Sequence, residues 1–463
     1  MAPKFGTSGL RGLVVELTEE LVTDYVRAFL AACTYGDEVH VGWDLRPSSP
    51  QIAAWVLDAL QDAGVPAVSC GPLPTPALAL SALRVGAGAV MVTGSHIPAD
   101  RNGLKFYVPT GEITKADEVA IQSALGRPAS GLSAGCRSVA AAESYVARYV
   151  AAYGTCLTGL RVGVYQHSSV ARDLMMDVFE ALGATPVAIA RSDSFIPVDT
   201  EALDPETKTL FAGWFEAHAL DVLVSTDGDA DRPMVVDDAQ RVVPGDVLGA
   251  ITAQALGAHH VCTPVSSNTM ISDARFGFDR VALTRIGSPF VIAAMEEALA
   301  EDPDVRVVGY EANGGFLLGF EAEAPAGPLS PLMTRDCLLP IIAPLAKAVA
   351  QGRKLSSLVD ALPPRFTAAD RLQGIETDRS KAFIRELSES SEARADFFEE
   401  IGFGELALDT TDGLRLRFVS GDIVHLRPSG NAPEFRCYAE ADTREVAETL
   451  VDQVLSKVYA TLQ

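Results

Sequence analysis

Short apolar runs alternate with amphipathic segments along most of the chain, a pattern typical of strands that alternate with helices. Three stretches, 39–70, 161–190 and 259–283, share one order: an apolar strand, a Ser-Ser pair, a helix, a glycine and a second strand. Because serine is a good helix N-cap and glycine commonly follows a helix end, each stretch predicts a strand–helix–strand unit. The copies predict three related α/β domains; the alternative is that such units recur in many unrelated folds.

The last hundred or so residues follow a different pattern. Alternation of apolar and polar positions predicts strands over 414–419, 423–426 and 434–439. Asp442 and Glu445 then have the spacing of a capping box for a C-terminal helix. Strands followed by a helix indicate a separate α+β domain.

Composition places domain boundaries between these patterns. A chain of 463 residues is long enough for three or four domains. Boundaries are expected in the Gly/Ser-containing stretch 126–138, near Pro244-Gly245 and at Pro363-Pro364. The predicted domains are 1–138, 139–245, 246–364 and 365–463.

Charge and composition narrow the class of protein. Apolar residues make up 48% of the chain, enough for a substantial core, and no apolar stretch is long enough to cross a membrane. The N-terminus lacks the apolar segment of a signal peptide. A net charge of −24 argues against nucleic-acid and anionic membrane partners. Seven scattered cysteines indicate reduced thiols, so we expect a cytoplasmic protein that acts on small molecules.

A small-residue loop follows the predicted strand 87–92 and is the first candidate for chemistry. Within 93–105 it contains Ser95, His96 and Lys105. A serine hydroxyl can carry a phosphoryl group, while imidazole and ammonium groups can move protons or neutralise charge. Ser95 does not lie in a Gly-x-Ser-x-Gly sequence, which argues against a Ser-His-Asp hydrolase.

A second loop follows the predicted strand 221–225 and is strongly acidic. It places Asp227, Asp229 and Asp231 at alternate positions, directly before Arg232. Three carboxylates this close repel each other unless a cation neutralises them, and their hard oxygens suit Mg²⁺. Arg232 stands where a calcium-binding EF-hand loop requires glycine, which rejects that motif. The alternative interpretation is a solvated acidic turn.

A third loop, near the C-terminus, has the composition of an anion site. It runs from Arg427 to Arg436 and contains Ser429, Gly430 and Asn431 between two predicted strands. Backbone amides of such a turn can form a nest for an anion, and an arginine can clamp phosphate with its planar fork. An ordinary hairpin loop is the alternative.

Two further loops carry weaker signals. After the strand 305–308, Glu311 and Asn313 can form hydrogen bonds with sugar hydroxyls. The segment 285–289 adds Arg285 and Gly287. With the nucleophile, metal and phosphate loops, they describe an enzyme that handles a phosphorylated polyol.

The set resembles the α-D-phosphohexomutase superfamily, the phosphomannomutase and phosphoglucomutase group. The likeness begins at 5–12 and includes Gly42-x-Asp44-x-Arg46, and it covers nearly the whole chain. Thr93–Lys105 resembles the phosphoserine loop, usually Thr-Ala-Ser-His-Asn-Pro with a later Asn-Gly-x-Lys. Thr226–Arg232 is similar to the metal loop, and Arg427–Arg436 is similar to the phosphate-binding loop.

The resemblance implies four domains around a central cleft, three α/β domains with mixed sheets and a final α+β domain. It implies that Ser95 carries phosphate, that Mg²⁺ lies on this phosphoryl group and the three aspartates, and that Arg11 faces the site. We expect interconversion of hexose 6-phosphate and hexose 1-phosphate, with mannose or also glucose, and activation by hexose 1,6-bisphosphate. Lys105 is the first candidate for the base and His96 the second, with Arg232 as an electrostatic catalyst.

Departures from the family leave alternatives open. Gly315 stands where a histidine often transfers protons, and Ser288 replaces another histidine. Gly94 replaces the usual alanine, a change that we expect the loop to tolerate. The Glu311–Gly314 sequence also resembles the acetylglucosamine-phosphate mutases. A phosphoglucosamine or N-acetylglucosamine-phosphate mutase, a Mg²⁺-dependent phosphatase and a non-catalytic sugar-phosphate sensor are therefore alternatives. The sequence is compatible with a monomer or a dimer.

Overall fold

The computed structural model of the chain describes residues 3–6, 9–128, 131, 133–201, 203, 205–401, 404–428 and 434–462, with the backbone alone at 205 and 400. Within these residues the strands form four main sheets and one separate hairpin. Three sheets combine parallel and antiparallel strands with helices, and the fourth is antiparallel. This is the predicted fold class of three α/β units and a C-terminal α+β unit.

The first unit is a mixed sheet in the order β1-β2-β6-β5-β3-β4-β8, with β7 paired to β6. Val22 and Val56 from two helices pack on one face, and Leu78 from a third helix packs on the other. The strands are β1 Lys4–Phe5, β2 Leu10–Leu13, β3 Val39–Trp43, β4 Ala67–Pro72, β5 Gly88–Val92, β6 Arg101–Val108, β7 Gly111–Glu112 and β8 Cys136–Ser138. The helices are α1 Glu19–Ala32, α2 Ser49–Asp62, α3 Thr75–Leu83 and α4 Lys115–Ser123.

The second unit has a sheet in the order β10-β9-β11-β12-β13. Its strands are β9 Arg161–His167, β10 Thr185–Arg191, β11 Val222–Thr226, β12 Pro233–Val236 and β13 Val242–Val243. Its helices are α5 Ala141–Tyr153, α6 Arg172–Ala181 and α7 Pro205–His218. Phe179 of α6 and Phe211 of α7 belong to two separate apolar clusters, one on each face of the sheet.

The third unit has a sheet in the order β15-β14-β16-β17-β20, beside a β18–β19 hairpin. Its strands are β14 His260–Pro264, β15 Arg280–Thr284, β16 Val307–Tyr310, β17 Phe316–Leu318, β18 Ala322–Ala324, β19 Gly327–Leu329 and β20 Leu332–Asp336. Its helices are α8 Gly245–Ala255, α9 Ser288–Glu301, α10 Leu339–Ala350 and α11 Leu355–Asp360. One apolar cluster joins Leu78, Val178 and Ile342, and therefore runs through the first three units.

The first three sheets repeat one topology, which confirms the predicted relationship between these units. In each, the first strand lies between parallel second and third strands, and a fourth strand is antiparallel to the third. The repeated orders are β4-β3-β5-β6, β10-β9-β11-β12 and β15-β14-β16-β17. The connection from third to fourth strand carries the nucleophile loop, the acidic loop and the Glu311 loop, respectively.

The predicted helix of the third repeat is wrong. Two short 3-10 turns, Thr269–Ser272 and Ala274–Phe276, replace it. The side chain of Asn268 accepts a hydrogen bond from the amide of Met270, and Asp273 accepts one from Arg275. Asn268 and Asp273 occupy the N-cap positions of the two turns, so each turn starts at its own cap instead of continuing as one helix.

The predicted capping role of the Ser-Ser pairs is also wrong for the first repeat. Ser48 occupies the N-cap position of α2 but makes no side-chain capping bond. It accepts a hydrogen bond from Asn102, while Ser49 donates to Asp44. The pair therefore anchors α2 to the nucleophile side of the sheet.

The C-terminal unit is an antiparallel sheet in the order β21-β25-β24-β23-β22. Its strands are β21 Phe366–Gln373, β22 Glu405–Asp409, β23 Leu414–Phe418, β24 Ile423–Pro428 and β25 Glu434–Ala441. Its helices are α12 Thr377–Glu389, α13 Ser391–Phe398 and α14 Arg444–Leu462. The predicted Asp442–Glu445 capping box is wrong by one residue, because Thr443 accepts from the amide of Val446 while Asp442 pairs with Arg365.

All seven cysteines are unpaired thiols, and Cys70, Cys262, Cys337 and Cys437 are buried. Among the described residues, no helix has both the length and the apolar character needed to span a bilayer.

Candidate active site

Ser95 lies in the turn between β5 and β6 in a strained backbone conformation. Its φ of 54° is in the left-handed region, which a non-glycine residue adopts only when its surroundings hold it there. Its amide donates to Thr93 Oγ1 at 2.7 Å, and its hydroxyl donates to Asp227 Oδ2 at 2.8 Å. The structure therefore aims the predicted nucleophile at the acidic loop of the second unit.

Arg46 stabilises the turn that contains Ser95. Its buried guanidinium donates to the carbonyls of the turn, and Asp44 accepts from both Arg46 Nε and Thr93 Oγ1. The accepting carbonyls belong to Ser95, Ile97, Pro98 and Arg101, at 2.5–2.9 Å. The Asp44-x-Arg46 element quoted from the sequence is thus the scaffold of the nucleophile loop.

Gly94 lies directly against this scaffold. A Cβ at position 94 would lie 2.6 Å from Arg46 Cζ. The Phe195 ring packs on the same guanidinium, 4.1 Å from Arg46 Cζ to the ring centroid. An alanine at 94 has no room unless Arg46 moves.

The acidic loop forms a buried cluster, so the solvated-turn alternative is wrong. Asp227, Asp229 and Asp231 are each 0% exposed, and one oxygen of each lies within 4.8 Å of the others. Lys105 Nζ lies 2.6 Å from Asp229 Oδ2 and 2.7 Å from Asp231 Oδ2. The ammonium from the first unit thus offsets part of the negative charge of the second.

The remaining oxygens of the cluster fit a divalent cation. Asp229 Oδ1 and Asp231 Oδ1 are buried and have no hydrogen-bond partner among the residues that the structure describes. Leaving a buried carboxylate oxygen unpaired is costly, and Lys105 reaches only the opposite oxygens. Two unsatisfied hard oxygens beside Asp227 form a donor set that suits a small divalent ion.

The pKa values of Asp227 and Asp229 are shifted in opposite directions. Burial, reinforced by Asp229 and Asp231, raises the pKa of Asp227 well above its usual value. Burial also acts to raise the pKa of Asp229, but the ammonium of Lys105 outweighs it, and the net pKa is lowered. A bound cation would lower the pKa of Asp227 in the same way.

His96 and Arg232 flank the nucleophile. His96 Nδ1 lies 3.3 Å from Ser95 Oγ. Burial, followed by the charges of Arg232 and Arg11, holds the pKa of His96 well below its usual value, so the imidazole is neutral at neutral pH. Arg232 Nε lies 3.9 Å from Asp227 Oδ2 and 3.8 Å from Asp231 Oδ1.

Arg11 lies on β2, at the edge of the same charged group. Burial and the charge of Arg232 lower the pKa of Arg11 to about 10, and Asp229 acts in the opposite direction. The group that the sequence assigns to catalysis is thus assembled from the first and second units.

The Glu311 loop reaches the cluster through an arginine that sequence reasoning missed. Arg335 Nη2 lies 2.8 Å from Asp231 Oδ2, and Arg335 Nη1 lies 3.7 Å from Glu311 Oε2. Asn313 Oδ1 accepts from the amide of Gly315 at 3.0 Å, which holds the turn. Glu201, also missed, lies 3.8 Å from Arg232. No local sequence pattern surrounds either Arg335 or Glu201.

The segment 285–289 contacts the C-terminal unit. Arg285 Nε donates to the carbonyl of Thr411 at 3.2 Å, and the amide of Ile286 donates to Asp412 Oδ2 at 2.9 Å. Gly287, with a φ of 131°, starts α9. Arg285 therefore holds the C-terminal unit in this structure and has no contact with the acidic cluster among the described residues.

The predicted phosphate loop is described only at its ends, since Ser429, Gly430 and Asn431 lie outside the described residues. Arg427 and Arg436 are direct partners across β24 and β25, and Arg371 of β21 is the next partner in the same row. Arg427 Nε lies 3.3 Å from Asp412 Oδ1. The row concentrates three cations at one end of the sheet.

A cleft with a volume of about 190 Å³ lies between the C-terminal sheet and the second and third units. Polar side chains on its walls include Glu201, Lys208, Ser267, Arg415 and His425. Ala312, beside the hydroxyl-binding candidate Glu311, also lines it. The cleft has room for a small polar molecule next to the Glu311 loop.

A serine held against three buried carboxylates, with cations around it, is an arrangement suited to phosphoryl transfer. The chain matches sequence profiles described as "Phosphoglucomutase/phosphomannomutase", alpha/beta/alpha domains I, II and III, over 2–130, 144–240 and 244–366. It matches the profile of the C-terminal domain over 373–457. The chain belongs to the phosphoglucomutase/phosphomannomutase family.

Full-length relatives agree with this assignment. A phosphomannomutase from Sinorhizobium fredii is 45% identical, and the match covers 100% of both chains. A phosphomannomutase from Salmonella muenchen is 43% identical over 99% of this chain and 96% of the relative. A solved phosphoglucomutase/phosphomannomutase family protein from Burkholderia thailandensis has the same fold, with a TM-score of 0.77, 22% identity and coverage of 98% and 97%.

Proposed function

We propose that the chain is a phosphomannomutase that interconverts hexose 6-phosphate and hexose 1-phosphate through phosphorylated Ser95. The observation that carries the proposal is the Ser95 hydroxyl, held 2.8 Å from Asp227 at the edge of three buried carboxylates. The names of the two full-length relatives favour mannose as the sugar. We propose domain boundaries at 138, 245 and 364.

The proposed reaction has two transfers. In the first, the Oγ–P bond of phosphoserine 95 breaks as a P–O bond forms to the free hydroxyl of the sugar monophosphate, whose proton passes to a base. The resulting 1,6-bisphosphate then reorients within the active site, so that its other phosphoryl group faces Ser95. In the second transfer, the P–O bond of that group to the sugar breaks as a P–O bond to Ser95 Oγ forms, and the sugar oxygen takes up the proton from the base. Hexose 1,6-bisphosphate therefore activates any enzyme whose Ser95 has lost its phosphate.

Asp227, Asp229 and Asp231, with the phosphoryl group on Ser95, are the proposed ligands of Mg²⁺. When bound, the ion withdraws charge from phosphoryl oxygens. Arg232 lies within 4 Å of two of these carboxylates and can stabilise charge on the transferring group as well. Three carboxylates without such cations would repel the anionic substrate.

Lys105 is our first choice for the residue that accepts the hydroxyl proton, and His96 is the second. Lys105 Nζ is buried beside the cluster, 2.6 Å from Asp229 Oδ2 and 2.7 Å from Asp231 Oδ2. It accepts the proton as the neutral amine and, once protonated, stays paired with these carboxylates. His96 lies against Ser95 Oγ, where it can orient the hydroxyl or exchange a proton with it. Glu311 and Asn313 are the proposed contacts to sugar hydroxyls, and Gly287 and Arg11 are further proposed contacts to the substrate.

Replacing Arg427 by alanine is expected to raise the KM for the phosphosugar with little change in kcat. Arg427 stands in the proposed distal phosphate site with Arg436 and the loop 429–431. A hydrogen bond to a charged group contributes roughly 1.5–3 kcal/mol, which corresponds to a KM about 10- to 100-fold higher. Arg417→Ala, an exposed arginine on β23, is the control. An effect of Arg427→Ala confined to kcat would contradict the anchoring role.

The function is tested by steady-state kinetics on mannose, glucose and amino-sugar phosphates side by side. We expect the highest kcat/KM with mannose phosphates, a lower value with glucose phosphates, and no release of inorganic phosphate. A preference for glucosamine or N-acetylglucosamine phosphate would show that the substrate is an amino-sugar phosphate and not a mannose phosphate. Release of free phosphate would indicate a phosphatase, and tight binding without turnover would indicate a sensor; each outcome would refute the proposed activity.

A further inference from the structure

Arg335 is a deeply buried cation beside the acidic cluster that the proposed mechanism does not use. It lies on β20, which pairs with β17 in antiparallel register, so that Arg335 is beside the Gly315 end of the Glu311 loop. Its side chain is 5% exposed. An arginine this deeply buried is found where carboxylates compensate its charge.

The contacts of Arg335 join two loops from different units. Its Nη2 lies 2.8 Å from Asp231 Oδ2 of the acidic loop, and its Nη1 lies 3.7 Å from Glu311 Oε2 of the hydroxyl-binding loop. Asp231 Oδ2 is also the oxygen that contacts Lys105. The two cations therefore occupy the same side of Asp231, and its Oδ1, 3.8 Å from Arg232 Nε, has no hydrogen-bond partner within the described part of the chain.

Gly315 leaves the space that Arg335 fills. A Cβ at position 315 would lie 2.8 Å from both Cγ and Cδ of Arg335, and 3.1 Å from its Cβ. The φ of Gly315 is not positive, so backbone conformation alone does not demand glycine there. The glycine that departs from the family histidine is thus a spatial requirement of the neighbouring arginine.

We infer that Arg335 is a positioning residue that holds Asp231 and Glu311 at one spacing, and that position 315 is glycine to admit it. Arg335 is suited to this task because its planar fork can face two carboxylates at once, whereas a lysine offers one point charge. Arg335 thereby fixes the acidic loop and the Glu311 loop relative to each other. This inference rests on the proposed mutase function and adds the element that couples its two halves.

Two variants test the inference from opposite sides. Arg335→Lys keeps the charge but loses the fork, and Gly315→Ala keeps Arg335 but places a methyl group against it. Both are expected to weaken Mg²⁺ binding roughly 10- to 100-fold, the usual effect of disturbing the partner of a metal ligand. Both are also expected to raise the KM for mannose 1-phosphate. Calorimetric titration of the phosphorylated enzyme with Mg²⁺ alone gives the first quantity without turnover.

Matched controls separate this effect from general damage. Arg280→Lys alters an exposed ion pair with Glu301, and Gly213→Ala adds a methyl group to open space on α7. Both controls should bind Mg²⁺ as the wild type does. In Arg335→Ala, added guanidinium ion is expected to restore part of the affinity; if this variant does not fold, the other two decide.

Wild-type Mg²⁺ affinity and KM in both Arg335→Lys and Gly315→Ala would overturn the inference. So would a loss of affinity that in both variants accompanies loss of the native circular-dichroism spectrum, since structural damage would then explain it. Failure of the proposed function looks different: wild-type protein would neither take up phosphate on Ser95 nor interconvert the sugars.

Discussion

Replacing Ser95 by alanine is expected to lower kcat by on the order of 10⁴-fold or more while the protein stays folded. The hydroxyl is the proposed carrier of the phosphoryl group, and among the described residues no other hydroxyl donates to the carboxylate of Asp227. Alanine has a similar volume and loses one hydrogen bond, worth about 1 kcal/mol. Intact mass measured before and after incubation with hexose 1,6-bisphosphate should show one added phosphoryl group in the wild type and none in the variant.

Ser123 offers a matched control for this experiment. It is an exposed serine on α4 whose hydroxyl donates only to the carbonyl of Val119 in the described structure. Ser123→Ala should take up phosphate and turn over as the wild type does. Full activity in Ser95→Ala, or a phosphate mapped to another residue in active wild-type protein, would refute the nucleophile assignment.

Replacing Asp229 by asparagine is expected to weaken Mg²⁺ binding on the order of 10³-fold. The change removes one of the three negative charges that would hold the ion. It also removes one of the two carboxylates that hold Lys105, and breaking such a buried pair costs about 3–5 kcal/mol of folding free energy. The net loss of stability should be smaller than this figure, because repulsion from Asp227 and Asp231 falls at the same time. Mg²⁺ titrations by calorimetry and by activity measure the change.

The control for Asp229→Asn is Asp177→Asn on the exposed face of α6, which should leave both titrations unchanged. An unaltered Mg²⁺ affinity in Asp229→Asn would exclude this loop as the ligand set. The proposed role of Lys105 would then also need revision, because its two contacts are with the same cluster.

Much of the fold was predictable because it repeats. The strand–helix–strand pattern led to the right strands in all three units, since burial of β3, β9 and β14 on both faces leaves a continuous apolar run in the sequence. The third repeat lost its helix to side chains of Asn268 and Asp273 that bond the nearby backbone. Such local competition depends on individual contacts that periodicity does not register.

The candidate site was predictable where its residues are adjacent in sequence. Ser95 and the three aspartates lie in short loops with an evident charge pattern, and the structure brings them together. Arg335 was missed because its partners, Asp231 and Glu311, are distant in sequence and it belongs to an ordinary strand. The close approach of Arg46 to Gly94 was not predictable for the same reason, since Arg46 comes from another strand–helix connection.

The hairpin that follows the third strand of each repeated sheet has a consequence for how such a protein diversifies. The three sheets present three copies of the same turn on rigid supports, and each copy carries different side chains. One copy carries Ser95, one the three carboxylates and one Glu311. The proposed division of roles predicts that substitutions in the third hairpin alone can change sugar preference, while the proposed phosphoryl-transfer residues in the other two stay the same.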